Sequence, residues 1–293
     1  MTEPTRIELD ANGIHFCALA MGEGPLLLCL HGFPDDARTW RHQMPVFAKA
    51  GYRVVAPFMR GYAPTSASPT GTYQTAALGH DVAALIEALS PDGQAVVFGH
   101  DWGALAAYGG ALLAPGRIRK LITAAVPYGP QVQMAFTTSY AQQKRSWYMF
   151  FFQTFLAEMA VVHDDLRFIR NLWHDWSPEW KFTEADIAPV LETLSAPGVL
   201  EAALGYYRCT FNPALQDPSL ASDQMRIGLE PIDVPTLYIH GRGDGCMGVE
   251  VAEGMEGSFL RGFSMAVIDG AGHFVHCEKP DDVNGRVLRF LSE

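Results

Sequence analysis

Basic residues, cysteines and long apolar runs are scarce in this 293-residue sequence. Lys and Arg number 21 against 32 Asp and Glu, and the net charge of −11 disfavours a nucleic-acid backbone or an anionic membrane surface as a partner. The cysteines number 5, are widely spaced and form no Cys-x-x-Cys pair, and no His-x-x-x-His pair is present. These absences predict free thiols, no zinc site and no nucleic-acid partner.

No stretch of about twenty apolar residues is present, so we expect no membrane insertion. The first ten residues, MTEPTRIELD, are polar and lack the basic and then apolar order of a secretory signal. A cytoplasmic protein in a reducing compartment is therefore expected. The composition, with 48% hydrophobic and 18% charged residues, is that of an ordinary globular enzyme.

Short apolar runs predict the strands of a sheet on both sides of a helical block. A helix is expected between Thr72, which precedes its apolar pattern, and Pro91, which stops it, and another helix from Pro280 to Leu291. Strands that alternate with helices imply a mostly parallel sheet flanked by helices, which is an α/β fold. The predicted strands are Arg6 to Leu9, His15 to Met21, Leu26 to Leu30, Tyr52 to Pro57, Ala95 to Gly99, Leu121 to Val126, Pro235 to His240 and Phe263 to Ile268.

Aromatic and helix-forming residues dominate from Pro127 to about Ser222, and strand-like runs disappear there. This change predicts a helical cap domain, residues 127–222, inserted into the sheet domain. Residues 1–126 and 223–293 then form one core domain. The division places the cap between two strands of the same sheet.

The strongest local motif is Gly99-His100-Asp101-Trp102-Gly103, which follows a buried strand and precedes a helix rich in small residues. Alone, an Asp between glycines is more often a turn residue or a helix cap. At a strand-to-helix junction the pattern is that of a nucleophile elbow with Asp101 in the position of the nucleophile. Such a turn needs small residues on both sides, and it lifts one side chain to the positive end of a helix.

The partners of a catalytic triad follow in chain order. Asp244 ends the Gly-Arg-Gly-Asp turn after one strand, and His273 lies in the Gly-rich turn after the next. The order nucleophile, acid and histidine at successive strand ends is the one that this elbow fold uses. We therefore predict His273 as the base and Asp244 as the group that orients it. The alternative is that both are turn residues.

A loop upstream supplies a further expected element. His31-Gly32-Phe33-Pro34 follows the strand Leu26 to Leu30, and in this arrangement the loop after that strand provides one oxyanion donor. The backbone N–H groups of Phe33 and Trp102 are the predicted pair. An ordinary Gly-Pro turn is the alternative.

Together with these elements, the sequence resembles the epoxide hydrolase and haloalkane dehalogenase branch of the α/β-hydrolases over nearly its whole length. The segments that carry the resemblance are HGFPDDARTWR, MRGYAPTS, GHDWGA, PTLYIHGRGD and GAGHFVHCEKP. The resemblance implies a covalent ester at Asp101 that is hydrolysed by water activated by His273. A carboxylate suits this chemistry because an alkylated serine would be a stable ether. No metal or organic cofactor is implied.

The resemblance also implies two tyrosines in the cap that donate a proton to the departing epoxide oxygen. Tyr148 and Tyr207 match their sequence context, and Tyr206 is the alternative to Tyr207 because neighbouring helix residues point about 100° apart. Aromatic helix residues that pack in a core are the competing interpretation. The substrate pocket is expected to be apolar and to be lined by His31, Pro34, Trp40, Trp147, Phe151, Tyr206 and Phe274.

The expected function is hydrolysis of a small apolar epoxide by water to a vicinal diol, as in detoxification. The alternatives are a haloalkane or haloacetate dehalogenase with the same Asp nucleophile, and a ligand sensor without catalysis. Phe33 stands where haloalkane dehalogenases have a halide-binding Asn, and Trp102 and Leu105 stand where fluoroacetate dehalogenases have arginines. Both features favour the epoxide. Relatives also usually carry Asp at the position of Phe58 and often Gly at that of Ala104, so the shape of the pocket is left open. The identity of the substrate, the preferred enantiomer and a homodimeric state are left open as well.

Overall fold

The sheet has eight strands in the order β1-β2-β4-β3-β5-β6-β7-β8. The computed structural model describes residues 3–293. The pairs β1–β2 and β2–β4 are antiparallel, and the remaining neighbours are parallel. The strands are β1 Thr5–Ala11, β2 Ile14–Met21, β3 Leu26–Leu30, β4 Arg53–Pro57, β5 Ala95–His100, β6 Ile118–Ala124, β7 Thr236–Gly241 and β8 Phe263–Ile268.

The predicted fold class is confirmed as α/β with helices on both faces of a mostly parallel sheet. Every residue of β3, β5 and β7 is buried, which requires cover on both faces and explains why these strands are continuous apolar runs. On one face α2 and α3 approach very closely. A Cβ on Gly79 would lie 2.8 Å from the backbone of Gly109, so this contact depends on glycine.

Within residues 3–293, twelve α-helices are interspersed with short 3₁₀ turns. Helix α7 is interrupted at residues 163–166, where the backbone leaves helical geometry. The helices are α1 Met44–Lys49, α2 Thr75–Leu89, α3 Trp102–Leu113, α4 Pro130–Thr138, α5 Tyr140–Arg145, α6 Trp147–Phe151, α7 Ala157–Trp176, α8 Glu184–Ser195, α9 Val199–Phe211, α10 Ala221–Arg226, α11 Val275–Glu278 and α12 Pro280–Ser292.

Two predicted boundaries need correction. Strand β6 begins at Ile118 and ends at Ala124, ahead of the predicted Leu121 to Val126, because Ala125 adopts a φ of 69° and turns the chain out of the sheet. Helix α2 begins at Thr75 and not directly after Thr72. The backbone N–H of Thr72 is instead held by the hydroxyl of Ser68, which keeps this segment in a turn.

Helices α4 to α10 lie between β6 and β7 in the chain, and we call them the cap. Hydrogen bonds tie the cap to the loops at the carboxyl ends of the strands. The Tyr206 hydroxyl donates to the carbonyl of Arg60 at 2.8 Å, and the Trp173 indole donates to the carbonyl of Pro34 at 2.9 Å. Residues 127–222 as a separate domain remain a prediction, but the contacts place this segment over one edge of the sheet.

Arg60 is itself fixed from the core side. Its guanidinium forms two hydrogen bonds of 2.6 Å with the carboxylate of Asp81 on α2, and both side chains are buried. A buried pair of this kind gives its loop one defined position. The cap therefore docks on a loop that is already held in place.

In the described part of the chain, no single helix has the length and apolar character needed to cross a membrane. The pair formed by α8 and α9, bent by 87°, meets the same length and composition criteria only when the two are taken together.

Candidate active site

The turn between β5 and α3 has the strained geometry expected of a nucleophile elbow. Asp101 adopts φ 52° and ψ −119°, outside the regions that most residues occupy. A Cβ on Gly103 would lie 2.0 Å from the carbonyl oxygen of Leu30, and one on Gly99 would lie 2.2 Å from the carbonyl oxygen of Gly103. The glycines on each side of Asp101 are thus required by backbone contacts.

The two carboxylate oxygens of Asp101 face different groups. Oδ1 accepts a hydrogen bond of 2.7 Å from the backbone N–H of Phe33, and Oδ2 lies 3.5 Å from Nε2 of His273. Gly32 makes room for this arrangement, because a Cβ there would lie 2.2 Å from Oδ1. The predicted donor Phe33 therefore contacts the nucleophile. Trp102 follows Asp101 at the start of α3, and its role as the second donor stays a prediction.

His273 connects Asp101 with Asp244. Its Nδ1–H donates to Oδ2 of Asp244 at 3.0 Å, and Oδ1 of Asp244 accepts from the backbone N–H groups of Cys246 and Met247 at 2.7 and 2.9 Å. Burial acts to raise the pKa of Asp244, but the adjacent imidazole and these hydrogen bonds outweigh it and hold the pKa below its usual value. Asp244 is thus a fixed negative charge beside the ring.

The same contacts act on His273 in the opposite direction. Burial alone would lower the pKa of His273, but the carboxylates of Asp244 and Asp101 favour the imidazolium and raise the pKa well above 6.5. The backbone N–H of His273 donates to the carbonyl of Trp176 at 3.1 Å, so the cap helps to fix the histidine. Among residues 3–293, Nε2 of His273 has no hydrogen-bond partner, and Oδ2 of Asp101 lies 3.5 Å from it.

The predicted tyrosines Tyr148 on α6 and Tyr207 on α9 meet over Asp101. Both are buried, and their ring centroids are 5.6 Å apart. Burial raises the pKa of each phenol well above 10, so both carry their proton at neutral pH. The Tyr148 hydroxyl lies 3.3 Å from Sγ of Cys246, whereas the Tyr207 hydroxyl has no partner within the described chain. Two neutral donors therefore line the same cavity as the carboxylate of Asp101.

The structure places Tyr206 differently from Tyr207. The Tyr206 hydroxyl donates to the carbonyl of Arg60, and its ring stacks on Tyr73 at a centroid distance of 5.4 Å. It lies outside the cavity that contains Asp101. The alternative prediction of Tyr206 as the second acid is therefore wrong, because its hydroxyl proton is already used in the hydrogen bond to the carbonyl of Arg60.

An open cavity of about 400 Å³ leads to Asp101. Tyr148, Tyr207, Trp102 and Cys246 line its inner part, and the remaining surface is mainly apolar. Polar groups in the wall include Gln133 and Gln224. The apolar lining comprises Leu105, Val126, Val132, Phe136, Met149, Phe211, Ile227 and Met247.

None of the residues predicted to form a substrate pocket is among those that line this cavity. His31 accepts a hydrogen bond from the backbone of Met59 at 2.9 Å, and Trp40 packs on Phe98 in the core. The carbonyl of Pro34 binds the indole of Trp173. These predictions are wrong because the segment after β3 turns a backbone N–H toward Asp101, whereas the side chains of His31 and Trp40 are buried in the core.

The remaining pocket predictions are wrong because Trp147, Phe151 and Phe274, although close in sequence to predicted catalytic residues, do not line the cavity. Trp147 precedes Tyr148 on α6 and is 44% exposed. Phe151 stacks on Phe168 at 5.8 Å in the cap. Phe274 follows His273 and packs against Trp173 at 4.6 Å, behind the imidazole.

The sequence interpretation missed Cys246 and Met247, which line the cavity and bind Asp244 through their backbone. The sequence feature that could have identified them is their position, two and three residues after the predicted acid Asp244. The helix α4 and the segment Val126 to Gly129 were missed as well, because nothing in their sequence marks them as cavity wall.

Two sets of buried side chains could supply metal ligands, one donor atom from each residue lying within 4.8 Å of the others. The first is Asp101, Cys246 and His273 in the active site, and the second is Asp35, His100 and His276 behind it. In the second set, burial raises the pKa of Asp35 to about 7 and lowers that of His100 to about 4. Asp35 therefore carries a proton over much of the acidic range.

Comparison with known proteins agrees with this geometry. The family described as alpha/beta hydrolase fold matches residues 25–280. Epoxide hydrolase 1 of Caenorhabditis elegans is 31% identical over 98% of this chain and 70% of its own length. The AB hydrolase superfamily protein YfhM of Bacillus subtilis is 32% identical over 97% of this chain and 96% of its own.

Among solved structures, a mutant of an epoxide hydrolase from Bacillus megaterium superposes with a TM-score of 0.85 at 28% identity. The match covers 98% of this chain and 100% of that one. That structure contains the product (R)-3-[1]naphthyloxy-propane-1,2-diol.

Proposed function

Because the chain belongs to the α/β-hydrolase fold family and, within it, to the epoxide hydrolases, which act on ether bonds, we propose that it converts an apolar epoxide to a vicinal diol through an ester at Asp101. The observation that carries this proposal is the meeting of Tyr148 and Tyr207 over the carboxylate of Asp101 in one apolar cavity. A carboxylate can open the ring, and two neutral phenols can receive the charge that develops on its oxygen.

In the first step Oδ2 of Asp101 attacks a ring carbon. The bond between that carbon and the ring oxygen breaks, and its electron pair passes to the oxygen. Tyr148 or Tyr207 donates a proton to this oxygen, so the product is a hydroxyalkyl ester and a tyrosinate. The tyrosinate regains a proton from water, which leaves one hydroxide ion. Hydrogen bonding of Oδ1 to Phe33 favours Oδ2 as the attacking atom, because Oδ1 is already occupied.

In the second step Nε2 of His273 takes a proton from water, and the hydroxide attacks Cγ of Asp101. The negative charge of the tetrahedral intermediate forms on Oδ1, where the Phe33 N–H stabilises it. The bond between Cγ and Oδ2 then breaks, and the departing diol oxygen takes the proton from His273. The new carboxyl group gives its remaining proton to the hydroxide left by the first step, which restores the carboxylate of Asp101. Asp244 stabilises the imidazolium between these two transfers.

The lining of the cavity supports a neutral, apolar substrate. Trp102 and Leu105 occupy positions near the nucleophile where an anionic substrate would need a cation. The cavity volume of about 400 Å³ is sufficient for a molecule with an aromatic ring. The diol bound by the Bacillus megaterium relative has such a group, which supports aryl-substituted epoxides as the first substrates to test.

A matched substrate panel tests the proposal. Styrene oxide and phenyl glycidyl ether are compared with chloroacetate and a chloroalkane, and diol and halide are both measured. We expect diol from the epoxides, loss of diol formation in Asp101→Asn and no halide. Halide release without diol would assign the chain to the dehalogenases instead, and neither product together with tight ligand binding would favour a sensor.

A further inference from the structure

Cys246 is the one cysteine among the residues that line the active-site cavity in the described chain. Its Sγ atom lies 3.3 Å from the hydroxyl of Tyr148. Burial raises the pKa of this thiol, so it stands as a neutral group among catalytic residues. The mechanism proposed above does not use it.

The surroundings of Cys246 contain two further ligands of the type that zinc and cadmium prefer. One donor atom from each of Asp101, Cys246 and His273 lies within 4.8 Å of the other two. Thiolate, imidazole and carboxylate together form a donor set for a tetrahedral site, in which water is the expected fourth ligand. Nε2 of His273 is fully buried and has no partner within residues 3–293, so its lone pair is available once the ring is neutral.

One of the distances between the ligand atoms already matches such a site. Ligands at about 2.0 to 2.3 Å from a tetrahedral zinc ion are separated from one another by about 3.3 to 3.8 Å. Oδ2 of Asp101 and Nε2 of His273 are 3.5 Å apart, within that range. Sγ of Cys246 lies within 4.8 Å of both atoms, and a rotation of its side chain can bring it closer to them.

We propose that Asp101, Cys246 and His273 bind a thiophilic divalent cation, Zn²⁺ or Cd²⁺, as a reversible inhibitor of the enzyme. On binding, the metal forms bonds to Sγ, Nε2 and a carboxylate oxygen, and the protons of the thiol and of any imidazolium pass to water. No electron is transferred. The ion occupies the nucleophile and the base together, and it removes the thiol from the hydroxyl of Tyr148. The inhibitory effect rests on the proposed epoxide hydrolysis, whereas the binding itself does not.

Binding is tested first without substrate. The purified full-length protein is titrated with Cd²⁺, and the ultraviolet charge-transfer band of a cadmium thiolate is recorded together with the stoichiometry from calorimetry. We expect one ion per chain. Cys246→Ser should abolish the band, and Cys17→Ser should keep it, because Cys17 is a buried cysteine on β2 that does not line the cavity.

Inhibition is then measured as the concentration of Zn²⁺ that halves diol formation, with each variant normalised to its own metal-free rate. We expect Zn²⁺ to compete with the epoxide and Cys246→Ser to raise this concentration at least about 10-fold, since loss of even an outer partner of a metal ligand costs that much affinity. Chelation with EDTA should restore the activity of the wild type. Cys17→Ser should remain as sensitive as the wild type.

A measurement on the wild type alone covers the case in which Cys246→Ser does not fold. N-ethylmaleimide labels the protein with and without Zn²⁺, and the modified peptides are mapped. We expect Zn²⁺ to protect Cys246 in particular. A protein that forms diol but shows neither the cadmium band nor protection of Cys246 would overturn the inference. A metal bound at Cys246 in a protein that forms no diol would leave the site standing and overturn the proposed function.

Discussion

The backbone N–H of Phe33 donates a 2.7 Å hydrogen bond to Oδ1 of Asp101. The carboxylate is therefore asymmetric before any substrate arrives, since its other oxygen lies 3.5 Å from His273. In the proposed mechanism, the first oxygen carries the charge of the tetrahedral intermediate and the second attacks the epoxide. The division of roles follows from the fold, because β3 and β5 are neighbours in the sheet and their following loops meet.

Replacement of His273 by Gln should trap the ester. The nucleophile and both tyrosines remain, so ring opening continues, but no base activates water. We expect one equivalent of epoxide to be consumed and turnover to fall by about 10³-fold. Mass spectrometry of the intact variant should show the added mass of the epoxide, located on the peptide that contains Asp101. Asp101→Asn is the control and should show no adduct, whereas an adduct on any other residue would contradict the assignment of the nucleophile.

The neighbouring tyrosines of α9 offer a matched pair of substitutions. Tyr207→Phe removes a proton donor from the cavity and should slow ring opening by about 10²-fold or more. Tyr206→Phe removes the hydrogen bond to the carbonyl of Arg60 and should cost about 1 to 3 kcal/mol of stability while ring opening persists. Rapid-quench kinetics and thermal unfolding separate the two effects. A reversed result would reassign the acid to Tyr206.

The two chemical steps should respond differently to pH. The carboxylates of Asp101 and Asp244 raise the pKa of His273 against the effect of burial. When Asp101 becomes an ester its charge disappears, and the pKa of His273 falls. Because hydrolysis needs neutral His273, its rate should fall as the pH drops below this lowered pKa, and the ester should accumulate in acid. Quenched single-turnover samples over a pH series measure the ester directly, and an ester level independent of pH would argue against His273 as the base.

Glycine to alanine substitutions should have opposite signs at two positions. Gly103→Ala places a Cβ 2.0 Å from the carbonyl of Leu30, so the elbow must distort, and we expect loss of activity with at least about 3 kcal/mol of destabilisation. Gly285→Ala meets nothing within 4 Å inside α12 and should stabilise the protein by about 0.5 to 1 kcal/mol. Chemical unfolding of both variants checks the pair. Equal effects at the two sites would contradict the packing of the elbow.

Asp35 should make the protein less stable as the pH rises. Burial raises its pKa to about 7 in the folded protein, against about 3.9 in an unfolded chain. Stability from this group is fully present below about pH 4 and is lost as the pH rises through about 7, by about 4 kcal/mol in all. Asp35→Asn removes the ionisation and should flatten this part of the profile. Urea unfolding of both proteins at pH 5 and pH 8 measures it, and parallel profiles would exclude Asp35 as the cause.

The sequence predicts most of the fold because its signals are local. Apolar runs correspond to β3, β5 and β8, and the glycines around Asp101 mark the elbow, since a backbone contact there forbids any larger residue. The chain order of Asp101, Asp244 and His273 places all three at the same edge of a parallel sheet. Structural contacts among them follow from that topology.

The cavity wall could not be predicted in the same way. Trp147 and Tyr148 are neighbours of equal apolar character, and only the docking of α6 decides which of them faces Asp101. The residue Cys246 has no motif of its own and enters the site because the turn after Asp244 folds back on its carboxylate. Orientation within the cap depends on long-range packing, so residues near a motif in sequence were mistaken for residues near it in space.

The hydrogen bond between Tyr206 and the carbonyl of Arg60 has a consequence for the order of events. Tyr206 and Tyr207 are consecutive on one helix, so any cap motion that breaks this bond also withdraws the Tyr207 hydroxyl from the nucleophile. A raised cap leaves Asp101, Asp244 and Phe33 in place in the core but reduces the supply of protons for a new ring opening. Docking of the cap on Arg60 and placement of the Tyr207 hydroxyl near Asp101 are therefore coupled through one helix.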